Sequence, residues 1–254
     1  MNDEQKAQTP TNLRLLYLVE QVAKEGMPMS PSALSAALGL PKPTIHRLLA
    51  TAEEEGFLQR DLDGRSFGPG VRLRTLSSNT LSSQRVRTER LFIMKWLAEE
   101  VGETCNLAAP GRYGMIYLDR VETHWPLRIQ LPVGTQVPFH CTASGKMYLA
   151  SMRLDKLKRL LQSMPLEPKT SSTIVVPELL LEETEKIRKR GYATDDQEFM
   201  EGMAAVAVPI RDKQQRLLTT LSLHAPIQRH DLGVLTKSVD VLRTAADRLE
   251  AILD

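Results

Sequence analysis

Residues Leu38 to Leu49 read LGLPKPTIHRLL, with Pro41 and Pro43 placed directly before an apolar pattern. Proline is tolerated in the first turn of a helix, because the N–H that it lacks would have no partner there. This stretch therefore predicts the start of a helix near Lys42.

The predicted helix has one apolar face and one polar face. Its apolar residues follow the i, i+3, i+4, i+7 spacing of a buried stripe, namely Ile45, Leu48, Leu49 and Ala52. The same spacing turns Thr44, His46 and Arg47 outward, together with Thr51. A short helix thus presents hydrogen-bonding groups to a partner outside the fold.

Two further helices are predicted before it. The first carries the apolar residues Leu15, Leu18, Val19 and Val22, with Thr11 or Asn12 as N-cap and Gly26 beyond its end. The second begins after Ser30, continues with Pro31, and buries Leu34, Ala37 and Leu38 before Gly39. Since only a tight turn separates the last two helices, the pattern is typical of a helix-turn-helix.

The segment FLQRDLDGRSFGPG, residues 57–70, alternates in polarity and carries an Asp63-Gly64 turn signal, so it predicts a β-hairpin. Helices followed by a hairpin make a winged helix-turn-helix, which we assign to residues 1–75. The stretch that follows is rich in Ser, Thr and Arg and predicts a linker helix over residues 76–90.

Residues 91–254 have a mixed pattern. A helix lined by Met94, Leu97, Ala98 and Val101 comes first. Strand patterns follow at 104–110, 115–121, 127–133, 204–210 and 217–223, with helical patterns at 145–162, 178–191 and 235–253. The last pattern fits a coiled coil, but a helix docked on the sheet is favoured because the pattern is short. The fold class is therefore α+β, with an antiparallel sheet and flanking helices.

Composition limits the class of protein and the partners that this chain can have. The chain is 42% hydrophobic and 25% charged with a formal net charge of +2, so bulk charge does not indicate a polyanion partner. No apolar run approaches the ~20 residues of a membrane span, and the two cysteines, Cys105 and Cys141, are too few for a disulfide framework. We expect a cytoplasmic protein with no membrane partner and with buried thiols.

In a helix-turn-helix the second helix of the motif enters the major groove with its N-terminal residues toward the bases. The candidates for DNA contact are Lys42, Thr44, His46 and Arg47, with Arg65 of the wing at the minor groove and Arg14 as a phosphate contact. The Arg47 guanidinium can donate two hydrogen bonds to the edge of a guanine, and Lys42 can contact a phosphate. The alternative is that these are ordinary solvated residues, which Glu53, Glu54 and Glu55 at the far end favour.

The sequence TASGK places Ala143, Ser144 and Gly145 at a predicted helix N-terminus, where free N–H groups and the helix dipole favour an anion such as a carboxylate. A plain capped helix is the alternative. TDDQE offers Asp195, Asp196 and Glu198 as an acid and base pair, but we expect them on a turn, where they diverge. We find no metal-ligand set and no cofactor motif.

Three segments resemble the IclR family of bacterial transcriptional regulators: residues 32–58, 137–150 and 190–210. Pro43 stands where the family more usually carries a small polar residue, which removes one hydroxyl contact to DNA. The resemblance implies a GAF-like effector-binding domain over residues 91–254. It also implies homodimers or homotetramers on pseudo-palindromic double-stranded operators, and a small organic effector, often an acid.

By the same resemblance, five further residues are expected around the effector pocket: Asp195, Met203, Ala205, Ser222 and His224. A protonated His224 would suit an anionic effector, although a lone histidine is more often structural. The function expected is an effector-responsive transcription regulator and not an enzyme. The alternatives are an enzyme acting on a small anionic substrate and a purely structural DNA-binding or partner-binding module.

Overall fold

The computed structural model of the protein describes residues 10–81 and 84–253. The chain divides into two compact units, which we call the N-terminal unit, Met1–Thr80, and the C-terminal unit, Leu81–Asp254. The predicted linker 76–90 covers the end of one helix and the start of the next, and its residues 82–83 lie outside the described ranges.

The N-terminal unit is a winged helix-turn-helix. After a 3-10 turn at Thr11–Leu13 come α1 (Arg14–Glu25), α2 (Pro31–Leu38), α3 (Lys42–Glu54), the antiparallel hairpin β1 (Leu58–Arg60) and β2 (Phe67–Pro69), and α4 (Val71–Leu81). The predicted stripes form its core, where Leu18, Leu34, Ile45 and Phe67 are buried together. As predicted, the Ser30 side chain accepts a hydrogen bond from the Ala33 N–H and caps α2.

Two local predictions in this unit are wrong. Neither Thr11 nor Asn12 caps α1 with its side chain, because the chain enters this helix through the 3-10 turn and Leu13 is the N-cap. Ala37 is exposed, not buried. The short α2 reaches the core through the buried Leu34, while Leu38 packs against the core only in part.

The C-terminal unit is α+β, as expected. Its elements are α5 (Gln84–Val101), β3 (Thr104–Pro110), β4 (Met115–Val121), β5 (Gln136–Val137), α6 (Ala143–Ser151), α7 (Leu154–Ser163), α8 (Pro177–Arg190), β6 (Ala193–Asp196), β7 (Met203–Arg211), β8 (Leu217–Pro226), α9 (Leu232–Lys237) and α10 (Val239–Leu253). The six strands form one antiparallel sheet in the order β5-β4-β3-β8-β7-β6.

Helices cover both faces of this sheet. On one face α5 and α10 enclose the larger core, to which Met94, Leu97, Leu223 and Leu242 contribute. The end of the chain is therefore a helix docked on the sheet, preceded by a separate short α9, although the side chain of Leu253 lies outside the description. On the other face α6 packs against alanines of β6 and β7.

The strand predicted at residues 127–133 is absent, since none of those residues pairs with the sheet. Pro126 directly precedes the segment and Pro132 interrupts it, and the Ile129 carbonyl accepts a hydrogen bond from the Arg120 side chain instead of from a neighbouring strand. The outer strand is β5, which pairs with β4 at Met115 and Ile116.

The helix predicted over residues 145–162 is two helices, α6 and α7, separated by an extended backbone at Met152 and Arg153. The Arg188 guanidinium donates to the carbonyls of Ala150 and Met152 at 2.7 and 2.9 Å, so a side chain from α8 satisfies the end of α6. Among the described helices, none has the length and apolar composition that a bilayer span requires.

Candidate functional site

The first candidate surface is the N-terminal half of α3. Ile45, Leu48, Leu49 and Ala52 are buried, so the opposite face of the helix is held toward solvent. Lys42, His46 and Arg47 are exposed and Thr44 is half-buried, as the spacing predicts. The first turn of α3 contains no acidic residue, which leaves its helix dipole and the basic side chains free to favour an anion.

The acidic end of α3 has partners within its own unit. The Arg60 Nε lies 2.9 Å from the Glu53 carboxylate, and Arg72 pairs with Glu55. Arg60 and Arg72 also stack over Phe67 and Phe57, respectively. Much of the negative charge that argued against a DNA-binding surface is therefore balanced at the far end of the helix.

The wing presents Arg65 at the tip of the β1–β2 hairpin. Asp63 shapes this tip: its carboxylate accepts hydrogen bonds from the backbone N–H of Arg65 at 2.8 Å and from that of Ser66 at 2.7 Å, and these bonds lower the pKa of Asp63. Arg65 itself is exposed, while Arg14 at the start of α1 is half-buried. The N-terminal unit thus offers a basic helix end and a basic wing.

The second candidate site lies in the C-terminal unit, where α6 begins. The Thr142 side chain accepts from the Gly145 N–H at 3.0 Å, so one of the expected anion-binding groups already has a partner. A Cβ at Gly145 would lie 2.3 Å from the Phe139 carbonyl oxygen, which shows that this glycine serves close packing. Ala143 packs in an apolar cluster with Ala205.

Of the three residues predicted at this helix end, only Ser144 keeps an available polar side chain. It is buried, and its Oγ has no hydrogen-bond partner within the described part of the chain. Lys146, two residues further, is buried and pairs with Glu198.

Thr194, Asp195 and Asp196 of the TDDQE segment lie in the edge strand β6, where a turn was expected, and Gln197 and Glu198 follow it in a bend. Asp195 is buried and Asp196 is exposed, so the two carboxylates diverge to opposite faces, as they would on a turn. The Asp195 carboxylate accepts from the backbone N–H groups of Glu198, at 2.8 Å, and Phe199. Pairing with β7 overrides the low strand propensity of aspartate.

Burial dominates the electrostatics at this end of the site. It raises the pKa of Asp195 to about 7, an effect that the neighbouring Glu198 increases and Lys146 opposes. Burial likewise raises the pKa of Glu198 against the attraction of Lys146. Asp195, Glu198 and Lys146 together contain two carboxyl groups and one ammonium group, so the cluster carries a net negative charge when both carboxyls are ionised.

Strand register places most of the other predicted residues on this same face of the sheet. Asp195 lies opposite Ala205, Ala205 opposite His224, and His224 opposite Thr104, in one row across four strands. Ser222 belongs to the next row, and its Oγ lies 3.2 Å from the His224 Nε2. Met203 is half-buried at the start of β7, opposite Pro226.

Burial and the nearby charge of Arg120 lower the pKa of His224 to about 3. The imidazole is therefore neutral at neutral pH. It would meet a ligand as a hydrogen-bonding group and not as the cation that the sequence suggested. The ring of Tyr117 packs against it edge-on, with 6.4 Å between ring centroids.

Sequence reasoning missed Asn106, Tyr117 and Arg120, which lie on this face of β3 and β4. The Arg120 guanidinium donates to the Asn106 Oδ1 at 2.9 Å, and the Asn106 Nδ2 has no partner in the described ranges. The two residues lie directly opposite each other in the sheet. A polar residue inside an otherwise apolar strand pattern was the available signal for Asn106.

Metal binding finds no support in the described residues, where no three His, Cys, Asp or Glu side chains cluster suitably. The His140 Nε2, beside Cys141 in the sequence, lies 2.9 Å from the Glu167 carbonyl oxygen. Both thiols are buried, and burial raises the pKa of each to about 12.

Comparison with known proteins covers both units. Residues 13–62 match the IclR helix-turn-helix domain, and residues 78–251 match the family described as bacterial transcriptional regulator IclR C-terminal. The chain is 36% identical over 237 residues to the protein named "Probable transcriptional regulator SauR" of Cupriavidus necator, covering 93% of this chain and 94% of the relative.

The transcriptional repressor IclR of Escherichia coli is 31% identical, over 85% of this chain and 80% of its own length. An IclR homolog from Microbacterium hydrocarbonoxydans, solved in complex with 4-hydroxybenzoate, superposes with a TM-score of 0.61 at 26% identity and covers 94% of this chain and 98% of its own. These relatives are transcriptional regulators and not enzymes. The chain belongs to the IclR family of bacterial transcriptional regulators.

Proposed function

We propose that this regulator binds an operator through α3 and the wing, and that a small organic acid bound in the C-terminal unit changes its affinity for that operator. The observation that carries the effector is a set of buried polar atoms without protein partners in the described ranges: Asn106 Nδ2, Ser144 Oγ and Glu198 Oε2. Leaving such groups unsatisfied costs roughly 1–3 kcal/mol each, which a matching ligand would recover.

An acid is favoured by the buried, positively charged side chain of Arg120 on this face. The related regulator solved with 4-hydroxybenzoate binds a molecule of this class. The effector residues proposed are Ser144, Asp195, Met203, Ser222 and His224, with Ala143, Gly145 and Ala205 shaping the wall behind them.

On DNA, the proposed contacts are base readout by Arg47, Thr44 and His46 and phosphate contacts from Lys42, Arg65 and Arg14. We propose a homodimer, or a homotetramer built from dimers, on a pseudo-palindromic operator, because two-fold protein symmetry matches inverted half-sites. We propose that residues 1–75 bind DNA, that residues 76–90 form the linker, and that residues 91–254 bind the effector. Its DNA target implies work in the bacterial cytoplasm.

An effector acts only if it binds one arrangement of the protein more tightly than another. We therefore propose that acid binding biases the linker and changes the separation of the two α3 helices in a dimer. That separation must match one helical turn of DNA, about 34 Å, or a multiple of it, for both half-sites to be read.

The test is selection of genomic fragments by the purified full chain, with binding to the enriched fragments followed against salt concentration. We expect a pseudo-palindrome to be enriched over random fragments by at least about a thousandfold in affinity. Binding that depends on salt but not on sequence, with and without added cell metabolites, would overturn the proposal.

A further inference from the structure

We propose that the anionic group of the effector binds to Arg120 and Asn106, on the β3–β4 side of the site, and not at the N-terminus of α6. This assignment rests on the proposed function in taking the effector to be an acid. It adds two residues that determine specificity, and it fixes the direction in which the effector lies.

Arg120 and Asn106 form a built pair of donors. The Arg120 side chain is 4% exposed and Asn106 is fully buried. Because the Asn106 Oδ1 accepts from Arg120 at 2.9 Å, the amide is oriented with its Nδ2 directed away from that contact. The Nδ2 has no acceptor in the described part of the chain. An N–H beside a buried guanidinium is a ready partner for a carboxylate oxygen.

The charge around Arg120 stays positive. Its Nε lies 3.1 Å from Glu122, but the same carboxylate pairs with Arg128 at 2.6 Å, so two guanidinium groups share one carboxylate. Arg120 also donates to the Ile129 carbonyl, which is a neutral acceptor. Asn106, Ser222 and the neutral His224 add only uncharged groups beside it.

The α6 end has the opposite character. Lys146 is already paired with Glu198, and Asp195 adds a second carboxyl to the same group. Thr142 caps Gly145, and Phe139 blocks the space over its Cα. An added carboxylate would be repelled by two acidic groups here, whereas a hydroxyl or amine could donate to the unpartnered Glu198 Oε2.

The class of effector that fits both ends is a small organic acid with a hydroxyl or amine at the end remote from its carboxylate. Its carboxylate would lie toward β3 and β4, and its donor toward Glu198 and Asp195.

Asn106→Asp is the sharpest variant for a test, since it is isosteric and keeps the oxygen that Arg120 binds. It removes the Nδ2 donor and places a negative charge where the anion is proposed to bind. Gln214→Glu makes the same charge change on an exposed turn and serves as the control. The probes are 4-hydroxybenzoate and its neutral amide, 4-hydroxybenzamide, with acetate and acetamide as a minimal pair.

Binding to the full chain is measured by calorimetry and by thermal shift. We expect the wild type and Gln214→Glu to bind an acid probe more tightly than its amide, and Asn106→Asp to lose at least about tenfold in affinity for the acid while its affinity for the amide changes little. Should Asn106→Asp fail to fold, Arg120→Lys, which keeps the charge but not the fork, is expected to lose a similar factor.

Equal binding of acid and amide by the wild type, no acid binding even for acetate, or undiminished acid binding by Asn106→Asp would each overturn the assignment. The operator response separates this failure from failure of the proposed function. If an acid changes operator affinity equally in the wild type and in Asn106→Asp, the effector role stands and only this location is wrong. If no acid changes wild-type operator affinity, the proposed function fails.

Discussion

Asp119 and Arg120 are adjacent in β4, yet their side chains make their polar contacts on opposite faces of the sheet. The buried Asp119 carboxylate binds Arg90 and Arg87 of α5, while Arg120 binds Asn106 on the face of the candidate effector site. One strand therefore contacts both the site and the helix that follows α4 in the chain. We expect a change at Arg120 to be felt at α5 through this strand.

Loss of the Asp119 charge should destabilise the C-terminal unit strongly. Asp119→Asn removes the buried carboxylate that pairs with the buried Arg90, for which we expect a loss of about 3–5 kcal/mol in the free energy of unfolding. Urea unfolding followed by tryptophan fluorescence reports on this unit, because Trp96 and Trp125 both belong to it. Asp240→Asn, which touches only an exposed pair with Arg243, is the control. Equal effects of the two variants would contradict the role given to Asp119.

The strands that carry this relationship could be predicted from the sequence, but the contacts could not. The short apolar runs at 104–110 and 115–121 identified both strands. These runs do not tell which residue of β4 lies opposite Asn106, because the register of the two strands shifts between Leu107 and Ala108. Arg120 was therefore missed, although its strand was assigned correctly.

Arg47→Ala should weaken binding to the selected operator by about 1–3 kcal/mol and relax specificity at one base pair, since a guanidinium forked onto guanine is replaced by a methyl group. Lys42→Ala should weaken binding to all sequences alike, as a phosphate contact does. Fluorescence anisotropy on the operator and on single-base variants distinguishes the two patterns. A uniform loss for Arg47→Ala would remove it from base readout.

The role of the wing is tested by the salt dependence of DNA affinity. If Arg65 contacts a phosphate or the minor groove, Arg65→Ala should reduce the slope of log affinity against log salt by about 1. Arg112→Ala removes an exposed arginine of the C-terminal unit and should leave the slope unchanged. If Arg65→Ala also leaves the slope unchanged, Arg65 lies away from DNA.

Two buried groups should give opposite pH effects. The pKa of His224 falls from 6.5 to about 3 on folding, so the stability that its neutral form contributes is lost as the pH falls below 6.5. The pKa of Asp195 rises from 3.8 to about 7, so its native state binds a proton more tightly and stability is gained over the same range.

Between pH 6.5 and about pH 5, each contribution amounts to roughly 2 kcal/mol. We expect His224→Gln to gain about that much stability relative to the wild type as the pH falls, and Asp195→Asn to lose about that much. Urea titrations at both pH values measure the two differences. Changes of the same sign in both variants would contradict these pKa directions.

Asp195 should also decide the effector response. Asp195→Ala removes the oxygen that accepts from the Glu198 and Phe199 N–H groups, so we expect this variant to bind the operator normally and to lose its response to an acid. Asp195→Asn keeps that oxygen and should hold the turn, which separates the shape of the site from its charge. An unchanged response in Asp195→Ala would remove this residue from the effector site.

Local signals were sufficient where caps, turns and periodicity agree, as in α2, α3 and the wing. They failed where a distant side chain decides the structure. Arg188 ends α6 at Met152, and Arg120 takes the Ile129 carbonyl that a strand would have used. At Gly145 the sequence indicated an anion site, but the close approach of the Phe139 carbonyl, six residues earlier, depends on how the intervening loop folds and cannot be read from spacing.

We expect the binding of one small acid and the binding of one operator to be coupled through this chain. The most direct measurement is the affinity of the full-length protein for its selected operator, titrated with 4-hydroxybenzoate and a panel of small hydroxy acids at fixed salt. We expect at least one acid to change operator affinity by about tenfold or more, equivalent to roughly 1.4 kcal/mol of coupling, and to leave binding to scrambled DNA unchanged. Identical operator affinity across the whole panel would contradict the claim.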